Sequence, residues 1–237
     1  MSPTPYKREE PSRLVRMAAR AFHPSPPRLH WAKIMRFRHL LFTFLALALG
    51  GTLHADDWQP DPQFRSLFNG KDLTGWCFRA KADKKSPRVG EVVEKFDGKT
   101  QSSDDGRFSA RDGILTVNFP KGKDRLIAQL DTVEEFPKDF VLKLEFRASV
   151  NSDSGIFIRK PQLQCRDYLV AGPYKDLKKY KPQDWNQIEI VVTGRTARCT
   201  CNGELLEAAL AVPETGPIGL EGDRGQMEYR HIQIRVP

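Results

Sequence analysis

The chain has 237 residues and carries 38 Lys/Arg against 30 Asp/Glu, a formal charge of +8. Residues 1–55 hold nine of those basic residues and two of the acidic ones, so residues 56–237 keep 29 against 28, a net charge of +1. That balance removes the electrostatic case for DNA, RNA or an anionic membrane as partner, and the remaining length suits one domain with a sizeable core.

Residues 1–34 are rich in Pro and Arg and show no apolar period. They read as a disordered basic extension or as a misassigned start ahead of Met35. Residues 35–55 read MRFRHLLFTFLALALGGTLHA. Arg36 and Arg38 form a basic n-region, 40–49 is a short apolar core, Gly50 and Gly51 break it, and Ala55 is a small residue that signal peptidase accepts. The apolar run is too short for a bilayer, which takes about 20 residues. Its layout is that of a secretory signal peptide. The expected mature domain is residues 56–237, secreted or periplasmic, with no stable membrane span after cleavage.

Residues 81–107 are polar, with 90–93 the one strand candidate, and read as a long surface loop. Nearly every periodic segment beyond it alternates apolar and polar residues: 113–119, 126–130, 140–147, 156–160, 162–168, 187–193, 195–201, 218–221 and 226–236. In 140–147, Leu142, Leu144 and Phe146 share one face, and Lys143, Glu145 and Arg147 the other. Such short alternating runs predict antiparallel strands. Turn signals separate them at Asp104-Asp105-Gly106, Asp112-Gly113, Asn202-Gly203 and Thr215-Gly216-Pro217. Asn202-Gly203 is the strongest hairpin signal. A second basic loop covers 174–184, and no long amphipathic helix is legible. The pattern predicts an all-β, two-sheet sandwich.

All four cysteines, Cys77, Cys165, Cys199 and Cys201, fall in the domain. An exported protein meets an oxidising compartment, so at least one disulfide is expected. Cys199 and Cys201 are not that pair, because i, i+2 positions on a strand put their Cα atoms ~6.5–7 Å apart, at the limit of a disulfide. Four of the five histidines lie in residues 1–55, leaving His231, for which a hydrogen-bonded structural role is favoured. No Cys/His set completes a zinc site, and Asp56-Asp57 and Asp104-Asp105 are too local to define another metal site. No metal and no cofactor is expected.

The stretch 64–76, FRSLFNGKDLTGW, resembles the opening motif of the 3-keto-disaccharide hydrolase domain family. DFVLKLEFR at 139–147 is similar to its central strand, and SGIFIR at 154–159 to its next motif. Asp184-Trp185-Asn186, Asn202-Gly203, GPIGL at 216–220 and YRHI at 229–232 follow in the family's order. The resemblance implies a concanavalin A-like jelly-roll sandwich. It also implies secreted proteins that act on oxidised sugars by hydrolysis or by a lyase–hydratase route. One segment departs. Where the family has Tyr-Glu-x-Gln-x-x-Asp, this chain keeps Gln164 and Asp167 but has Pro161 and Gln162 at the first two positions, so a carboxylate is lost.

No Glu-x-Asp-x-Glu triplet is present, which argues against an ordinary retaining β-glucanase. A sugar oxidised at C3 needs different chemistry. Its C2–H is acidic, a base removes it, and the C1 substituent leaves by β-elimination. The residues expected to serve are Asp167 or Glu145 as base and Arg159 as enolate stabiliser. Arg147, Gln164, Tyr168 and Trp185 are the expected substrate contacts, Trp185 by stacking on a ring. Their convergence requires 140–147, 156–160 and 162–168 to pair and expose one surface. Two readings stand: an enzyme acting on 3-keto-glycosides, or a non-catalytic carbohydrate-binding module on the same sandwich. In the bland alternative, the charged residues are surface ion pairs.

Overall fold

A computed structural model describes residues 58–80, 90–118, 128–167 and 172–237. The chain divides into residues 1–50 and 51–237, and every described residue lies in the second unit. The leader, the extension before it and Tyr168 lie outside the described residues.

The strands, in chain order, are β1 (Arg65–Ser66), β2 (Trp76–Arg79), β3 (Val92–Lys95), β4 (Phe108–Arg111), β5 (Ile114–Val117), β6 (Ala128–Thr132) and β7 (Phe140–Ala148). They continue with β8 (Asp153–Ile158), β9 (Gln162–Arg166), β10 (Asn186–Thr193), β11 (Thr196–Cys201), β12 (Glu204–Ala211), β13 (Ile218–Gly222) and β14 (Met227–Arg235). They make two antiparallel sheets of a concanavalin A-like jelly roll. The large sheet runs β12-β11-β10-β7-β14-β5-β4, with β1 also on β14. The small sheet runs β3-β2-β6-β13-β8-β9. No helix among the described residues is long and apolar enough to cross a membrane.

Strict alternation on β7 shows why two layers form. Phe140, Leu142, Leu144 and Phe146 are buried, while Val141, Lys143, Glu145 and Arg147 are half-buried on the other face. Neighbouring strands keep this parity: Ile188 sits opposite Leu144, Ile190 and Ile234 opposite Leu142, and Tyr229 opposite Phe146. Trp76, Leu130, Ile156, Ile158 and Leu220 of the small sheet join the same core. Each such side chain contributes about 1.5–3 kcal/mol on burial. A one-residue slip would carry Lys143, Glu145 and Arg147 inward, which fixes the register. A buried polar link crosses the core: the Tyr229 hydroxyl lies 2.9 Å from Ser154 Oγ, which donates to the Glu221 carbonyl at 2.5 Å.

The hairpin signals hold. Asn202 and Gly203 have φ of 49° and 80°, and Asp112 and Gly113 of 50° and 80°. Positive φ at both central residues is the type I′ turn that matches strand twist. The basic loop at 174–184 contains a 3-10 turn, Pro173–Asp176, and brings two core tyrosines. The Tyr174 hydroxyl donates to the Gln164 carbonyl at 2.5 Å, and that of Tyr180 to the Arg166 carbonyl at 2.8 Å.

The expected disulfide is absent, and all four cysteines are buried free thiols. Cys165, Cys199 and Cys201 belong to the core between the sheets, whereas Cys77 pairs with Asp131 on the opposite face of the small sheet. Burial pushes the Cys199 and Cys201 thiols up to about 12 and raises Cys165 strongly. The thiolate is the species that forms a disulfide, so burial keeps these groups reduced. A thiol reagent should therefore label no cysteine in the native protein and four after denaturation. Two or fewer labelled in denaturant would overturn this.

Candidate functional site

The family-like motifs SGIFIR, the Gln162–Asp167 segment and GPIGL lie on or beside β8, β9 and β13, which are neighbours in the small sheet. β6 lies on the far side of β13. The outer face of these four strands carries Gln129 and Asp131 from β6, Gly219 and Glu221 from β13, Gly155 from β8, and Gln162 and Gln164 from β9. Asp131 sits opposite Gly219, and Gln129 opposite Glu221. The two carboxylates are thus diagonal neighbours, a placement with Cα atoms roughly 7–8 Å apart.

Two glycines shape the face. The Gln129 amide donates to Asp131 Oδ1 at 2.7 Å, above Gly219. A Cβ at 219 would fall 2.5 Å from Asp131 Oδ1 and 2.6 Å from Gln129 Nε2. The Gln162 amide donates to Glu221 Oε2, passing over Gly155, where a Cβ would collide with it. Gln164 Nε2 in turn donates to Gln162 Oε1 at 3.2 Å. The buried Gln164 Oε1 has no partner among the described residues. Each glycine is therefore the clearance that lets an amide meet a carboxylate.

Asp131 is 4% exposed. Burial lifts its carboxyl from 3.8 to about 6, against the opposing effects of the Gln129 amide and the Arg79 charge. A carboxylate poorly solvated and matched near neutrality is suited to take a proton from carbon.

The outer face of the large sheet is different. Glu145 accepts from Arg230 Nε at 2.7 Å and lies 3.3 Å from His231 Nδ1. Arg147 pairs with Glu228 at 2.5 Å. The Trp185 ring centroid is 4.1 Å from the Arg230 guanidinium and 4.7 Å from that of Arg147. His231 stacks on Trp58 at 4.5 Å. A depression of about 480 Å³ farther along has Asp61, Phe64, Lys143 and Arg235 on its walls. Each of these carboxylates faces a cation: Glu145 the Arg230 guanidinium, Glu228 that of Arg147, and Asp61 the Lys143 ammonium.

The structure thus splits the expected constellation. β7 and β8 follow one another in the chain but belong to different sheets. Glu145, Arg147 and Trp185 come together on the large sheet, and Gln164 lies on the small one. Arg159 is 1% exposed, and its guanidinium donates to the carbonyls of Gly194, Pro213 and Lys138 at 3.0, 2.9 and 2.6 Å. Asp167 accepts from the Asn151 backbone N–H at 2.7 Å and from the Gln183 amide, which ties two loops. The single surface that was to hold Glu145, Arg147, Arg159 and Gln164 does not form, because 140–147 pairs with β10 and β14 instead of with 156–160. Asp131, Gln129 and Glu221 were not singled out from sequence. Their available signal was a polar i, i+2 pair on a strand and an acid directly after GPIGL.

The sequence pattern of the 3-keto-alpha-glucoside-1,2-lyase-like domain matches residues 63–235. The chain belongs to this family. Membership makes it a carbohydrate-active domain and agrees with the resemblance read from its motifs. A protein of Parabacteroides distasonis ATCC 8503 that carries a provisional glycosyl hydrolase assignment has the same fold, with a TM-score of 0.53 and 14% identity over 73% of this chain and 94% of that one. A second from the same organism, with the same assignment, is 20% identical over 57% of this chain and 93% of its own, with a TM-score of 0.44. No curated protein matches the sequence. Within the 3-keto-alpha-glucoside-1,2-lyase-like fold, the three motif-bearing strands that are neighbours in the small sheet, β8, β9 and β13, give its outer face as the candidate site.

Proposed function

We propose that this protein is an exported enzyme that cleaves 3-keto-glycosides at C1, with Asp131 as the base that removes the C2 proton. The observation that carries the reading is Asp131 itself: a carboxyl lifted to about 6, next to an oriented amide, on the face shared with the motif strands β8, β9 and β13. Removal of the C2 proton forms an enolate conjugated with the C3 carbonyl. The enolate collapses to a C1–C2 double bond as the C1–O bond breaks. The products are an unsaturated 3-keto sugar and an alcohol, and water can later add to the double bond. The amides of Gln129, Gln162 and Gln164 supply the hydrogen bonds that orient sugar hydroxyls.

The test is turnover of a 3-keto-glucoside, followed by aglycone release and by the ultraviolet absorbance of the enone. Release of aglycone with that absorbance supports the reading. Binding of oxidised or native sugars without turnover would establish a carbohydrate-binding module instead. Export is tested separately. N-terminal sequencing of exported protein should begin at or near Asp56, as the basic n-region, short apolar core and small Ala55 imply. A mature chain that retains Arg36 would refute cleavage.

A further inference from the structure

We infer that Glu221 is the second working carboxyl of the site, held by Gln162 and protonating the departing glycosidic oxygen. The inference rests on the reaction proposed above. Glu221 is 8% exposed, on the same face as Asp131 and diagonal to it. Its partner is fixed in orientation: Gln162 Oε1 accepts from Gln164 Nε2, so the Gln162 amide nitrogen is the end presented to Glu221. Gly155 leaves the gap over β8 through which the two side chains meet.

The same contact explains the departure in the motif. Position 162 touches position 221 across β8, so a carboxylate placed at either one reaches nearly the same point. This chain has Gln162 and Glu221, so the pair contains one acid and one amide. The balance of the step is simple. Asp131 gains the C2 proton, the C1–O bond breaks, and Glu221 gives its proton to the leaving oxygen. A proton then returns from Asp131 to Glu221 through solvent for the next turnover.

The experiment compares wild type, Glu221→Gln and the exchanged double variant Gln162→Glu/Glu221→Gln on two 3-keto-glucosides. One has an unactivated alcohol as leaving group and the other p-nitrophenol, which departs without protonation. Glu221→Gln should lower kcat roughly 10²–10⁴-fold on the first substrate, as for loss of a general acid, and less than about tenfold on the second. The exchanged variant should recover at least about tenfold on the first, because the acid is restored at the same place. Equal losses on both substrates, or no recovery in a double variant that melts like wild type, would overturn the inference. If Glu221→Gln does not fold, Gly155→Ala serves, since it pushes Gln162 off an intact Glu221. A loss confined to the poor leaving group then supports the role, and an equal loss or none refutes it. Absence of turnover by wild type on either substrate removes the reaction itself, a result distinct from every variant outcome.

Discussion

Asp131→Asn should lower kcat by roughly 10²–10⁴-fold, the size of effect expected on removing a general base, while making the protein more stable at neutral pH. Both effects have one origin. The folded-state carboxyl titrates near 6 against an ordinary 3.8, because burial disfavours its charge. Between those values the folded chain holds a proton that the unfolded chain releases. The stability from this group is therefore fully present below about pH 4 and lost as pH rises through 6. The total is on the order of 3 kcal/mol. Asparagine never carries the charge, so the stability advantage of Asp131→Asn should be absent at pH 4 and grow toward pH 8. Urea unfolding of both proteins across that range measures it. The kcat/KM of wild type should rise with pH through about 6. Undiminished kcat in the variant would remove Asp131 from the chemistry, and a pH-independent stability difference would remove the buried charge.

Arg159→Met should cost roughly 3 kcal/mol or more of stability, with kcat of the remaining folded protein nearly unchanged. Three backbone carbonyls, of Lys138, Gly194 and Pro213, receive their hydrogen bonds from this one guanidinium. Hydrogen bonds that involve a charged group contribute about 1.5–3 kcal/mol each, and the donor here is buried. Arg159→Lys should also destabilise, because a compact ammonium does not span carbonyls served by a planar fork. Denaturant midpoints and kcat, measured together, separate the two roles considered for this residue. A lysine variant with wild-type stability and lost kcat would return Arg159 to the enolate.

The fold was legible because burial follows period two, and β7, β10, β11 and β14 sit where the alternation put them. β12 was not, since ELLEAALA has no alternation and is mostly exposed. It is a strand because the Asn202-Gly203 turn sets Cys201 opposite Glu204 and folds the chain back along β11. The site was partly legible. Gln164 was selected on the motif and lies on the candidate face. Glu145 and Arg147 were correctly placed on the polar face of β7, but a single sequence does not say which sheet receives the next strand. Asp131 stayed hidden for a related reason. Its elevated pKa comes from burial, and the strands that flank it, β2 and β13, are distant in the chain.

The buried chain of hydroxyls from Tyr229 through Ser154 to the Glu221 carbonyl bears on the mechanics of the molecule. Apolar side chains between two sheets resist separation but give little resistance to sliding, since one oily contact replaces another at small cost. A hydrogen bond has a direction and a length, and this one is anchored on both layers. It acts as a dowel that opposes shear of the large sheet over the small one at the level of Glu221. Both carboxyls stand on adjacent strands of that small sheet, so the face that carries them is held as one body against the opposite wall of the sandwich.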